Sequence, residues 1–322
     1  MRTRYQAPAV AGFLFISSLA LLGQNAKPAG AEKPASSEWT PARTPDGQPD
    51  VHGFWLTTEY GMGCLSDPRN GNVGCVQQSG PPRGGGGGGR GGGRGGRGDA
   101  AREKSHSRII DTTDGEIPYQ PWARERQQYL LSNYFEPTKA EQIDPQQRCW
   151  PLGAVRQFTW HDVQILQYPG YVIFSHEGGH SYQIIPLDGR PHVGQNIKLW
   201  MGDSRGHWEG NTLVIDVTNN NSKGRLSRAG DFASDKVHHT VRLKFLDADN
   251  MRYEAVFDDP SVYTRPWTFG FDMKRGIFGE SNPNGDPEEK YEQWEEACVE
   301  GLRDVDVSLR EGTPVQPATA QR

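Results

Sequence analysis

The chain has 322 residues, with 40 acidic side chains against 35 lysines and arginines and a formal net charge of −5. Six of these basic residues lie outside the segment expected to fold, namely Arg2, Arg4 and the four arginines from Arg83 to Arg97, which leaves 29 against 40. An acidic domain disfavours nucleic acid as a partner. The length suits one domain with a sizeable core, and a single all-β unit of roughly 200–250 residues is ordinary.

The N-terminus has the pattern of a secretory signal peptide. Residues 1–4 are basic, residues 9–22 are apolar, and small residues suited to cleavage follow at Ala26 and at 29–31. The apolar run is shorter than the roughly 20 residues that span a bilayer, and no later segment is hydrophobic enough to cross one. We therefore expect residues 1–31 to be a signal peptide and the mature protein to be periplasmic or secreted, without a membrane span.

The expected export of the protein bears on how its four cysteines are interpreted. An oxidising compartment favours disulfides over metal thiolates, and four cysteines allow three pairings. We favour Cys64 with Cys75, which are close in sequence, and Cys149 with Cys298, which bracket the expected β domain. No C-x-x-C spacing occurs, so a zinc site is disfavoured, and we predict neither a metal nor another cofactor.

The chain divides by composition into five parts. Residues 1–31 are the signal peptide, and 32–79 form an extended segment whose turn-rich part ends at Phe54-Trp55. Residues 80–99 are almost entirely Gly and Arg, which cannot bury apolar surface, so we expect a disordered loop. Such tracts bind RNA inside cells, a partner that an exported chain rarely meets. Residues 100–310 form a β-rich domain with flanking helices, and 311–322 a disordered tail.

In the β-rich domain, the apolar residues recur with a helical period in some segments and with a period of two in others. A helix is predicted within 117–135 and another from Asp286 to Arg303, where Asp286 would be the N-cap. Between them a period of two predicts strands at 163–168, 171–176, 181–187, 206–209, 212–217, 237–246, 251–258 and 265–272. Short connections favour an antiparallel meander that forms a barrel or a two-sheet sandwich. We favour a lipocalin-like barrel because closure removes exposed sheet edges.

The segment Trp200–Asp216 predicts a hairpin that concentrates ionisable, aromatic and glycine residues. With Gly210-Asn211 as a two-residue turn, 209 pairs with 212, 207 with 214 and 205 with 216. One face then carries polar side chains and the other apolar ones. The polar face holds Arg205, His207, Glu209, Thr212 and Asp216, together with Val214. The apolar face holds Trp208, Leu213, Ile215 and Val217.

A second hairpin follows, and its faces also predict a register. Matching the apolar residues of 237–245 to those of 251–257 requires a loop of odd length, Ala248-Asp249-Asn250, with Asn250 in the left-handed conformation. Phe245 would then face Tyr253, and Lys244 would face Glu254. His239 lies on the apolar face, where a hydrogen-bonded core histidine is the favoured interpretation, and His238 lies on the polar face.

Residues 176–180 spell H-E-x-x-H, the zinc-protease signature. That motif binds zinc only on a helix, where residues four apart point the same way. Here strand-like segments precede and follow it, and Gly178-Gly179 predicts a hairpin turn. Position 176 then pairs with 181, which sends the two histidines to opposite faces.

The candidate site residues are drawn mainly from the Trp200–Asp216 hairpin. If its polar face lines a pocket, a histidine beside a carboxylate can act as a general base. If the face is solvated, the same residues form only surface ion pairs of no more than about 1 kcal/mol. The candidates for catalysis are His207, Glu209, Asp216 and His238. The candidates for ligand binding are Asp203, Arg205 and Trp208 of the hairpin. Three more candidates, Tyr263, Arg265 and Trp267, belong to the turn-rich segment Asp258–Trp267 and would line the rim of a ligand site.

The chain resembles a large family of exported bacterial proteins. Its motifs are matched by Thr44 to Trp55, Cys149 to Arg156, Leu187 to His192, Trp200 to Asp216, Asp258 to Trp267 and Glu295 to Gly301. The resemblance implies export and transfers no residue role. Asn211 departs from the Asp of the family pattern, and Val241 departs from its Glu.

These observations predict an exported β-barrel that binds a small polar or aromatic organic ligand. Metal-independent acid–base chemistry at His207, such as hydrolysis, elimination or isomerisation, is one interpretation. A noncatalytic binding or envelope-associated protein is the other.

Overall fold

The computed structural model describes residues 39–57, 65–66, 107–134, 137–159, 162–179, 181–276 and 298. Several predicted features lie outside these residues: the signal peptide, the Cys64–Cys75 bridge, the Gly/Arg-rich loop, the helix from Asp286 and the C-terminal tail.

Within the described residues, nine antiparallel strands form one sheet in the spatial order β4-β3-β2-β1-β9-β8-β7-β6-β5. Their bounds are β1 Gly53–Thr57, β2 Val163–Tyr168, β3 Tyr171–His176, β4 Tyr182–Pro186, β5 Asp203–Glu209, β6 Thr212–Thr218, β7 His238–Phe245, β8 Asn250–Asp258 and β9 Trp267–Arg275. The meander was predicted, but β1 was not recognised as a strand. It lies between β2 and β9 and joins the two arms of the sheet.

The sheet curls into a nearly closed barrel, so the predicted architecture is confirmed in its barrel form. The two end strands approach each other, and Gln183 Nε2 on β4 donates a hydrogen bond to Ser204 Oγ on β5 at 2.7 Å. Gly206 lies directly against β4, since a Cβ built at this position would be 2.6 Å from Cγ2 of Ile185. Side-chain contacts therefore protect edges that would otherwise be unpaired.

Alternate residues of the strands point into one core. On β8, Met251, Tyr253, Ala255 and Phe257 are buried, as period-two patterning predicts. Aromatic rings fill the interior: Phe257 stacks on Trp267 with ring centroids 4.7 Å apart, and Tyr253 stacks on Phe271 at 4.6 Å. Such pairs add about 0.5–1.5 kcal/mol each beyond their burial.

Short helices precede β2. The helix α1 spans Pro121–Ser132 and α2 spans Ala154–Gln157, with 3₁₀ turns η1 at Ala140–Gln142 and η2 at Pro145–Arg148. Pro121 occupies the first turn of α1, where its missing N–H costs nothing. No helix in the described parts of the chain is long and apolar enough to cross a membrane.

A disulfide joins Cys149, which directly follows η2, to Cys298, with Cα atoms 5.5 Å apart. This confirms one of the two predicted pairs.

The register of the β5–β6 hairpin is as predicted, with Arg205 opposite Asp216 and Glu209 opposite Thr212. Gly210 has φ +60°, which glycine tolerates at the first central position of the turn. Residues 176–179 of the H-E-x-x-H segment are also strand and turn, not helix, and the His176 amide donates a hydrogen bond to the Ser181 carbonyl at 2.9 Å. The second histidine of the motif, His180, lies outside the described residues.

The predicted register of the β7–β8 hairpin was wrong. Phe245 faces Met251, and Tyr253 faces Leu243. The loop is odd, as required, but begins one residue earlier, since Leu246 N donates to the Asn250 carbonyl at 2.9 Å. The Asp247 carboxylate accepts from Asp249 N at 2.8 Å and favours this turn. The shift of two residues keeps every side chain on its predicted face. The left-handed conformation predicted for Asn250 was wrong, because Asn250 lies in β8 and has no positive φ.

Candidate functional site

The polar face of the β5–β6 hairpin points away from the core. The side chains of His207 and Glu209 are 62% and 49% exposed. The opposite face is buried: Leu213, Ile215 and Val217 belong to the core, and Trp208 packs 6.0 Å from the Phe245 ring. The hairpin face is therefore an outer surface of the barrel.

The predicted catalytic residues separate into two groups on that surface. In the first group, His207 Nε2 lies 3.1 Å from Glu209 Oε1, and Arg242 donates to the other Glu209 oxygen. The hydrogen bonds from Arg242 and His207 lower the pKa of Glu209. This group resembles an ordinary solvated ion cluster.

The second group is a chain of alternating carboxylates and imidazoles. His192 Nδ1 lies 2.8 Å from Asp203 Oδ2, and His192 Nε2 lies 2.7 Å from Asp216 Oδ2. The second Asp216 oxygen contacts Nε2 of His238. His192 is thus held between two carboxylates, and His238, which is 49% exposed, connects the chain to solvent. Such a chain can hold and pass protons.

Both carboxylates of this chain favour their ionised form. Burial opposes ionisation of Asp203, but hydrogen bonds from the Val193 amide, His192 and Arg205 keep its pKa below the usual value. The same balance holds the pKa of Asp216 low, where hydrogen bonds from His238 and His192 outweigh burial.

The sequence did not identify His192 as a site residue, although it ends the L-D-G-R-x-H motif. Its position follows from the connection between β4 and β5, which folds back on the hairpin. Arg205 secures this connection by donating to the Pro191 carbonyl at 2.8 Å and to Asp203 Oδ1 at 2.8 Å. Asn219 Nδ2 donates to the Gly194 carbonyl at 2.9 Å. Asp203 and Arg205 therefore contact the protein's own loop.

The three rim candidates lie apart from the hairpin. Tyr263 and Trp267 are buried in the core, and Tyr263 Oη donates to the Phe232 carbonyl at 2.8 Å. Arg265 is exposed and pairs with Asp111 at 3.4 Å. Burial favours packing as the role of the two aromatic residues, and their predicted ligand contacts stay a prediction.

A cleft of about 350 Å³ lies elsewhere, where the segment from α1 to η2 meets the connection between β6 and β7. Three aromatic rings contribute to its walls, those of Trp122, Trp150 and Phe232. Its charged side chains are Arg126, Arg148, Lys223, Arg225 and Glu141. We call this space the α1–η2 cleft. The sequence could not reveal it because its walls come from segments nearly 100 residues apart.

The aromatic and basic side chains of the cleft contact one another. The Arg148 guanidinium lies 3.8 Å above the Trp150 ring, and the Arg126 guanidinium lies 5.7 Å from the Phe232 ring. Trp122 is 50% exposed and donates to the Ser261 carbonyl at 3.1 Å. Flat, cationic walls of this kind suit a ligand with a ring and a negative charge.

Among the histidines that the structure describes, His176 and His239 are buried in the barrel. Burial lowers the pKa of His176 to about 3 and that of His239 to about 4, so both are neutral at pH 7. His239 stacks on Phe257 at 5.3 Å. We expected it to be hydrogen-bonded in the core, but neither ring nitrogen has a partner in the described part of the protein.

No cluster of three or more His, Cys, Asp or Glu side chains suited to a metal ion occurs among the residues that the structure describes. No known family model matches the chain, and no curated protein shows significant sequence similarity to it.

Proposed function

We propose that the protein binds a small polar or aromatic organic molecule in the α1–η2 cleft. The observation that carries this proposal is a single concave space of about 350 Å³ with three aromatic rings and four cationic side chains in its walls. Small-molecule sites span roughly 300–1,000 Å³ and combine apolar walls with a few polar groups. The exposed His207 and Glu209 of the polar hairpin face support the cleft rather than that face as the proposed ligand site.

We also propose that the protein is exported and belongs to the family that it resembles. The basic and apolar leader supports export, and so does the Cys149–Cys298 disulfide, which persists in oxidising compartments. Fractionation of cells that express the full chain tests this: the protein should appear outside the cytoplasm and lack residues 1–31.

Acid–base catalysis is a second candidate, favoured by the chain from Asp203 through His192 and Asp216 to His238. A screen of chromogenic esters and glycosides tests it. His238→Gln and Asp216→Asn should abolish any turnover, while His207→Gln should not. Turnover that both variants retain contradicts this role, and binding without turnover favours the noncatalytic alternative.

Ligand binding is tested by thermal shift and tryptophan fluorescence with three pairs of ring compounds: cinnamate and cinnamamide, benzoate and benzamide, indole-3-acetate and indole-3-acetamide. A ligand at one hundred times its Kd stabilises the folded state by about 2.7 kcal/mol. For a domain of this size the expected rise in Tm is roughly 5–10 °C.

Trp122→Ala and Trp150→Ala should weaken binding at least tenfold, because each removes a ring from the cleft wall. Tyr182→Ala is the matched control, since Tyr182 is 65% exposed on β4, outside the cleft. The proposal is wrong if none of the six compounds binds below 5 mM, or if the tryptophan variants bind as tightly as the control.

A further inference from the structure

A smaller space, which we call the inner pocket, adjoins the α1–η2 cleft. The two spaces share the wall residues Ser222, Gly224, Arg225, Ala233 and Ser234. The inner pocket measures about 40 Å³ and reaches His239 and Phe257 on the strands.

Several residues that line the inner pocket carry buried hydrogen-bonding atoms without partners in the described part of the chain. Arg156 and Arg225 are 2% and 6% exposed, yet Arg156 Nη2 and Arg225 Nη1 find no acceptor in the described ranges. Asn220 Nδ2 is a third such donor, and both nitrogens of the buried His239 lack a partner there too. Because buried polar groups are nearly always satisfied, this concentration in one pocket indicates a missing acceptor.

The two buried arginines of this region share the carboxylate of Asp144 unequally. Asp144 is fully buried and binds Arg156 Nη1 at 3.0 Å, whereas Arg225 Nη1 lies 3.9 Å away from the same carboxylate. Two guanidiniums thus face the Asp144 carboxylate, and only Arg156 pairs closely with it. The other buried carboxylate that acts on Arg156 is Asp231, whose oxygens accept hydrogen bonds from Tyr119 and Ser227 and whose pKa is raised by burial. Burial lowers the pKa of Arg225, as expected for a cation without a full partner. An uncompensated buried charge is costly, so a single negative charge in the pocket is favoured.

We propose that the inner pocket holds the carboxylate of a ring-bearing monocarboxylic acid whose ring lies in the α1–η2 cleft. A cavity of roughly 10–15 Å³ admits one water molecule, so 40 Å³ has room for a carboxylate but none for an aromatic ring. Arginine matches a carboxylate with two parallel hydrogen bonds. Only Arg225 lacks a close carboxylate, so the site suits a monoanion better than a dianion such as phosphate. This inference rests on the proposed function, because it names the ligand class of that same cleft.

The test compares each acid with its own amide by calorimetry on the full mature chain. Cinnamate, benzoate and indole-3-acetate should each bind at least tenfold more tightly than cinnamamide, benzamide and indole-3-acetamide. Acetate should compete with cinnamate at high concentration, because it supplies the carboxylate alone. Inorganic phosphate should compete less well than acetate. Phosphate that competes better than acetate overturns the assignment to a monocarboxylate.

Arg225→Gln should weaken cinnamate binding at least tenfold and change cinnamamide binding less than twofold. Arg126→Gln is the matched control, since Arg126 lines the cleft but not the inner pocket, and it should weaken cinnamate at most threefold. If Arg225→Gln loses its near-UV circular dichroism and so does not fold, Asn220→Ala replaces it. That variant removes one donor and should weaken cinnamate, but not cinnamamide, about threefold.

The outcomes separate this inference from the proposed function. If acids and amides bind equally and Trp150→Ala weakens both, the cleft is a ligand site and the carboxylate assignment is wrong. If Arg225→Gln and Arg126→Gln weaken cinnamate by the same factor, the inner pocket does not hold the acid group. If no ring compound binds, both proposals fail.

Discussion

Nε2 of His192 lies 2.7 Å from Oδ2 of Asp216, although the two residues are 24 positions apart. The other ring nitrogen faces Asp203, so both imidazole nitrogens meet carboxylate oxygens. His192 belongs to the connection between β4 and β5, and both carboxylates belong to the β5–β6 hairpin. The histidine therefore ties a long connection to the outside of the barrel.

Asp203→Asn should destabilise the protein by about 2 kcal/mol. The Asp203 side chain is 11% exposed and accepts hydrogen bonds from His192, Val193 N and Arg205. Hydrogen bonds to a charged group contribute about 1.5–3 kcal/mol, and the amide cannot accept all of them. Urea unfolding of both proteins measures the difference.

Glu209→Gln is the matched control for this variant, because it neutralises a carboxylate on the same hairpin whose ion pairs are solvated. It should change the free energy of unfolding by less than 1 kcal/mol. Equal effects of the two variants would mean that the connection is not held by Asp203.

Low pH should weaken the contacts that hold the β4–β5 connection against the β5–β6 hairpin. The pKa values of Asp203 and Asp216 are lowered in the folded protein, so their ionisation stabilises the fold above the unfolded-state pKa, near 3.9. This contribution is lost as the pH falls from about 5 through the folded-state values. The difference in unfolding free energy between wild type and Asp203→Asn should therefore shrink between pH 6 and pH 3. A difference that stays constant, or that grows in acid, contradicts the assignment.

The barrel was predictable from sequence because its strands are half-buried and alternate with a period of two. Thr212 to Val217 illustrates this: its faces and its partners follow from the turn at Gly210 alone. β1 was not predicted because its five residues follow a turn-rich segment and show no alternation of apolar and polar side chains. Only their place between β2 and β9 makes them a strand. The predicted β7–β8 register was wrong by two residues, because matching apolar faces cannot distinguish registers that differ by an even number of residues.

The candidate site was less predictable than the fold. Alternation shows that Asp216 and Leu213 lie on opposite faces, but not that the polar face is the outer one. His192 contacts Asp216 only because a loop folds back, and loop paths have no periodic signal. The walls of the α1–η2 cleft come from distant segments, and the pairing of Arg156 with Asp144 depends entirely on tertiary packing.

Removal of the disulfide should destabilise the protein by about 4 kcal/mol. The bridge joins residues 149 positions apart, and in the chain-entropy model a long closed loop restricts the unfolded chain strongly. The double variant Cys149→Ser/Cys298→Ser leaves no unpaired thiol at this position, and chemical unfolding compares it with the oxidised wild type. Reduced wild type should match the variant. A loss below 1 kcal/mol would show that the unfolded state or native strain cancels the entropic gain.

Gly206→Ala should loosen the contact between the two end strands of the barrel. The new methyl would lie 2.6 Å from Ile185 Cγ2 and 2.9 Å from Leu187 Cδ2, closer than carbon atoms approach. Overpacking of this kind costs about 1–3 kcal/mol. Ile185→Ala in the same chain should relieve part of the clash, so the double variant should be more stable than the two single effects predict. Strict additivity would mean that β4 and β5 do not touch at this position.

Asp144→Asn should be the most damaging single substitution among these, with a loss of about 3–5 kcal/mol. Asp144 is fully buried, and although burial disfavours its charge, Arg156 and Arg225 keep its pKa below the usual value. Neutralising it leaves two buried guanidiniums without the Asp144 carboxylate, whereas the hydrogen bond from Gln146 N can still be accepted by the asparagine oxygen.

Asp188→Asn is the control, because Asp188 and Arg190 form an ion pair on the surface, and its effect should stay below 1 kcal/mol. Equilibrium unfolding of both variants at pH 7 decides the matter: if Asp144→Asn is as stable as the control, the two arginines are paired in solution by something other than Asp144.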